Sequence, residues 1–295
     1  MNTRIRATFA VFATTLAPVA FAGGFVDLPN GALGTAAPCL NSVRCNGVNN
    51  VAVDPFYIAP GAIQGTATVT VGVGGAATTR TVNVHDFPTQ FTLLDSKVTS
   101  FSVASAGGPY SGTFFDYVFI DTTTDTLVFG SRLEMIGLSE ANDIFRRGFS
   151  DYETEVAWTR IYSSSSGNDL RLYSAARSEV GLKGGADPLP GSANYTNDVV
   201  DLRSDVNQAE RNPFSGLYLI RTDATLANGY SLVADAAAIR QAGEEGQAVL
   251  TLNFQAFAPN PIAAIPEPSA YVMLASGLLL IGVHARRRST SSHPV

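Results

Sequence analysis

His85 is the sole histidine between the two ends of this 295-residue chain, and it bounds the chemistry available. Nucleophilic hydrolysis by a Ser-His-Asp set needs an imidazole to take the proton of the nucleophile. His85 stands beside Asp86 and Phe87-Pro88, at what reads as the end of a strand, where a surface histidine is the plainer expectation. No G-x-S-x-G elbow occurs, and Pro109-Tyr110-Ser111-Gly112 reads as a turn. Ser163 to Ser166 reads as a flexible loop. Gly72-Val73-Gly74-Gly75 has strand patterns on both sides, whereas a phosphate-binding loop opens a helix. The sequence therefore predicts no catalytic residue, no metal site and no cofactor.

The carboxylates offer two further groups. Asp116, Asp121 and Asp125 cluster on one expected hairpin, and Asp198, Asp201 and Asp205 recur at helical or loop spacing. Loop carboxylates can hold calcium, but neither group has the D-x-[DN]-x-[DN]-G spacing of a calcium loop. Both are expected on solvated surface. A glycosidase would need two opposed carboxylates in a cleft, which spacing alone does not reveal. Trp158 could stack on a sugar, but its alternating context (Val156 to Arg160) makes it a core expectation.

Cys39 and Cys45 are the only cysteines, five turn-rich residues apart. In an exported chain such a pair reads as a local disulfide. It would stabilise by about 2.4 kcal/mol in the chain-entropy account.

The elements that would carry these residues show a period of two. Thr66 to Val73 and Thr79 to Val84 alternate around a glycine-rich turn and read as a hairpin. Phe91 to Val103, Thr113 to Ile120 and Thr126 to Leu133 follow as strands, then Glu153 to Tyr162, Leu170 to Ala175, Gly216 to Arg221 and Ala248 to Phe254. One helix is expected from Ser139 to Arg147, with Ser139 as cap, Glu140 and Asp143 early and the arginines late. Leu232 to Ala242 is ambiguous between helix and hairpin. The fold class expected is mostly β, an antiparallel β-sandwich-like ectodomain with one or two short helices. A C-terminal transmembrane helix is expected in addition.

Both ends are tripartite. Arg4 and Arg6 precede an apolar run from Ala7 to Val19, and Ala20-Phe21-Ala22 fits a small-x-small cleavage site before Gly23. Residues 1–22 thus read as a signal peptide and 23–257 as the ectodomain. At the other end, a linker over 258–265 leads to Pro266-Glu267-Pro268. An uncharged stretch over 269–285 follows, at the short limit for a membrane helix, and then Arg286-Arg287-Arg288 within a basic end over 286–295. Arginines after an apolar run stay cytoplasmic, so the bulk of the chain faces outward across a single C-terminal span.

Pro266-Glu267-Pro268, the short apolar run and the terminal arginines together resemble a PEP-CTERM sorting domain, over about residues 265–295. The resemblance implies recognition by an exosortase, a membrane-embedded, Cys-dependent processing enzyme. It also implies a Gram-negative host that makes exopolysaccharide or biofilm. Export would use the general secretion machinery, and the protein would pass from the inner membrane to the cell surface or extracellular matrix.

Composition agrees with an exported β-rich chain: 45% hydrophobic and only 15% charged, against roughly 25% charged in an average domain. Setting aside the five arginines and one glutamate of the two ends leaves 14 basic against 24 acidic side chains. Two lysines, Lys97 and Lys183, make no basic footprint, so nucleic acid is not an expected partner. The function expected is a structural or interaction role at the surface, without catalysis. The alternatives are a carbohydrate-binding module, with exopolysaccharide as ligand, and a secreted hydrolase using paired carboxylates.

Overall fold

The computed structural model describes residues 24–28, 54, 56–105, 108–164, 169–178, 195–241 and 249–261. The chain divides into two units, Met1–Pro259 and Asn260–Val295, and every described strand lies in the first. The strands are β1 (Val26–Leu28), β2 (Ile63–Val71), β3 (Thr78–His85), β4 (Phe91–Val103), β5 (Tyr110–Asp121), β6 (Thr126–Ile136) and β7 (Glu140–Arg146). They continue as β8 (Thr154–Thr159), β9 (Tyr162–Ser163), β10 (Ser174–Ser178), β11 (Tyr195–Asn207), β12 (Leu217–Thr222), β13 (Tyr230–Gln241) and β14 (Leu250–Pro259).

These strands form three sheets, in which every ladder is antiparallel. A six-stranded sheet has the order β1-β8-β12-β6-β5-β4, a five-stranded sheet β10-β11-β7-β13-β14, and a small sheet β2-β3-β9. Consecutive strands β4, β5 and β6 form a meander, since short connections suffice for antiparallel neighbours. The two large sheets share one hydrophobic core. Phe114 and Val118 of β5, Phe129 and Leu133 of β6, and Tyr218 and Ile220 of β12 meet Ile144 of β7, Val200 and Leu202 of β11 and Ile239 of β13. Burying each such side chain contributes about 1.5–3 kcal/mol, which makes this cluster the main source of stability.

β5 shows why the pattern works. Its burial alternates from Tyr110 to Tyr117, so Phe114 and Val118 point into the core while Thr113, Phe115 and Tyr117 point away. The outer face of β5, β6, β8 and β12 is itself covered at one end, where Phe119, Val128, Ala157 and Leu219 pack with Phe25, Ile58 and Phe87. Gly112 is demanded by close approach: a Cβ there would come 2.3 Å from the Glu134 carbonyl oxygen.

Three expectations are corrected. Ser139 to Arg147 is not a helix: Glu140–Arg146 is a strand, buried at every residue, between β11 and β13. The cap and charge pattern of a helix is overridden because Glu140, Asp143 and Arg146 are buried within the sheet, and Arg146 pairs with Asp116 of the facing sheet. The segment holding Asp198, Asp201 and Asp205 is strand β11 rather than helix or loop. Of the two readings of Leu232 to Ala242, the hairpin one holds, since β13 pairs antiparallel with β14. Among the described residues the only helical piece is the 3-10 turn Gly74–Ala76 between β2 and β3, so the one or two short helices are not present there. No helix of the described residues is long and apolar enough to cross a membrane, and the expected span over 269–285 lies outside them.

Candidate functional site

The expected carboxylate sites resolve into structural ties. Asp116, on the core face of β5, meets Arg146 of β7 at 3.0 Å, with both side chains almost fully buried. Its other oxygen accepts the Phe257 N–H at 2.6 Å, and Arg146 donates to the Phe257 carbonyl at 2.6 Å and to the Ser131 hydroxyl. Four strands from two sheets are thereby joined through one guanidinium. Burial pushes the Asp116 carboxyl up from its ordinary value, against the pull of Arg146. The expectation of solvated surface fails here because the pairing lies inside the core.

Asp121 is buried too. One of its oxygens accepts the Thr123 N–H and hydroxyl at 2.9 and 2.6 Å, closing the β5–β6 turn, and the other takes Arg221 at 3.1 Å. Asp125 sits at the left-handed position of that turn, with φ 58°. Asp201 is buried in β11. Among the described residues no three His, Cys, Asp or Glu side chains converge as metal ligands would.

A second buried pair, Arg132 and Asp169, lies 3.3 Å apart. Asp169 also accepts the N–H groups of Ile161 and Tyr162 at 2.7 and 2.8 Å, while Arg132 stacks over the rings of Tyr162 and Phe214. Burial raises the Asp169 carboxyl. Trp158 is a core residue, as its alternation suggests, at 2% exposure, with its indole N–H donated to Asp54 at 2.9 Å. It has no face to offer a sugar.

His85 is where the fold adds what spacing could not. It ends β3, and β9 pairs with β3 so that Asn83 stands opposite Ser163 and Val84 opposite Tyr162. The His85 and Ser163 side chains share a face, with Nε2 2.6 Å from the Ser163 hydroxyl. Nδ1 lies 3.1 Å from the Gly61 carbonyl oxygen. A carbonyl only accepts, so in the neutral ring Nδ1 carries the hydrogen and Nε2 is left to accept the serine hydroxyl proton. Gly61 reaches this place because it lacks a side chain: a Cβ would lie 2.3 Å from the Phe87 carbonyl oxygen. The two side chains are 78 residues apart in sequence, so only strand register reveals the pair.

The residues with the sharpest expectation fall elsewhere. Pro266, Glu267, Pro268 and Arg286 to Arg288 lie outside the described residues, as do Cys39, Cys45, Ala20, Ala22 and Gly23. Sequence comparison reaches the tail: residues 264–288 match the family model of the PEP-CTERM protein-sorting motif. The tail carries a PEP-CTERM motif. The match spans the tripeptide, the apolar run and the arginines, and leaves the β-rich unit outside it. No curated protein and no solved structure matches the chain.

Proposed function

We propose that this protein is exported, processed by an exosortase at its PEP-CTERM tail and delivered to the cell surface or polysaccharide matrix. There its β-rich unit has a structural or interaction role without catalytic turnover. The observation that carries the reading is the match over residues 264–288. Proline at 266 and 268 disfavours helix around Glu267, which suits a segment that a processing enzyme reads. The apolar run and Arg286 to Arg288 halt translocation for long enough to be read. Two large antiparallel sheets sharing one core support a sandwich architecture for the exported unit, an arrangement suited to stability outside the cell.

A polysaccharide-binding role draws no support from the described surface. The aromatic rings among the described residues are buried or half-buried, and none stands fully exposed. The test is the intact mass of protein recovered from the envelope. The reading expects an N-terminus at Gly23 and loss of the apolar run with its arginines; a chain retaining both ends would refute it.

A further inference from the structure

We propose that Ser163 is a nucleophile that accepts an acyl group from an ester, with His85 as its general base. The inference stands on geometry independent of the sorting tail. A nucleophile and its base must lie within hydrogen-bond reach, and a third group must hold the base in the right tautomer. Ser163 Oγ is 2.6 Å from Nε2, and the Gly61 carbonyl at Nδ1 supplies the third member. The direction of the bond follows from chemistry alone. With Nδ1–H committed to a carbonyl, Nε2 presents its lone pair to the serine proton.

The surroundings suit the step. His85 and Ser163 are both half-buried, so the pair is partly shielded yet reachable. His85 is held through its backbone as well, its N–H donating to the Ile161 carbonyl at 2.8 Å. Asn83 stands directly opposite Ser163 in the ladder, with Cβ atoms about 5 Å apart in such pairs. A side-chain amide at that place is the kind of donor that oxyanion holes use. The face carrying these groups is polar: Thr79 and Thr81 precede Asn83 on the same side of β3 and are exposed.

In the assigned step Ser163 Oγ bonds to the ester carbonyl carbon and the ester C–O bond breaks. The hydroxyl proton passes to His85 Nε2 and leaves on the departing alcohol. The products are an acyl-serine and the free alcohol, with no oxidant or metal required.

The experiment treats the full-length chain in envelope fractions with a fluorophosphonate probe and maps the adduct by peptide mass. Here Oγ bonds to phosphorus and fluoride departs, giving a product that persists whether or not an acyl-serine would be hydrolysed. The expected result is one adduct per chain, on Ser163. Ser163→Ala should abolish it, and His85→Gln, which keeps an acceptor beside the hydroxyl, should slow labelling by roughly a hundredfold or more. Circular dichroism of each variant should retain the wild-type β signal, which separates loss of reactivity from loss of fold. Absence of an adduct on folded wild-type protein, an adduct elsewhere, or equal labelling of folded His85→Gln would overturn the proposal.

Discussion

Arg146 and Asp116 carry opposite charges into the centre of the core, and their value depends on both being present. Breaking such a pair leaves one charge uncompensated, at a cost of about 3–5 kcal/mol. Arg146→Met should therefore destabilise by that amount in urea unfolding, and adding Asp116→Asn should recover part of the loss. Additive losses in the double variant would contradict the pairing. The buried carboxyls also set a pH dependence. Burial raises Asp54, Asp116, Asp169 and Glu134 above their ordinary values of 3.8 for Asp and 4.5 for Glu. Between those values and the raised ones the folded chain binds more protons than the unfolded chain, so stability falls as pH rises. Thermal unfolding midpoints should fall as pH rises above those ordinary values; midpoints that climb steadily there would refute the raised set. At this scale the sequence was half legible. Trp158 declared itself by alternation, whereas the Arg146–Asp116 and His85–Ser163 pairs depend on register between distant strands.

At the scale of elements, period-two alternation located β2, β3, β4, β5, β6, β8 and β12 to within a few residues. It failed at β7 and β11 for one reason. Both strands lie inside the five-stranded sheet with neighbours on each side, and their polar residues are buried among partners rather than turned to water. Glu140, Asp143 and Arg146 therefore broke the alternation and imitated a capped helix. Glycines test the element account directly. Gly112→Ala would drive a Cβ into the Glu134 carbonyl and the Phe101 ring, 2.3 and 2.7 Å away. A cost of about 1–3 kcal/mol is expected for such overpacking. At Gly65, in β2, an added Cβ would meet nothing within 4 Å, so Gly65→Ala should change stability by no more than about 1 kcal/mol. Comparable destabilisation by the two substitutions in chemical denaturation would contradict the packing described for β5 and β6.

At the scale of the whole molecule, the sorting motif of the tail was more legible than the role of the β-rich unit. The sorting motif is local and ordered in sequence: tripeptide, apolar run, arginines. The β-rich unit spreads its information over strand pairings, and any reactive group in it emerges only when those pairings form. The central claim is that the tripeptide is a processing signal and not a proline-rich stalk. The most direct measurement replaces Pro266, Glu267 and Pro268 together with Ala and follows size and location by fractionation. An epitope after Pro261, beyond the end of β14, leaves the last described strand intact. On the proposed reading export should persist, because residues 1–22 are untouched. The apolar run and Arg286 to Arg288 should then hold the uncleaved chain in the inner membrane, while the wild type is shortened and released from it. Identical size and location for wild type and the triple-alanine variant would contradict the account and leave an ordinary membrane anchor.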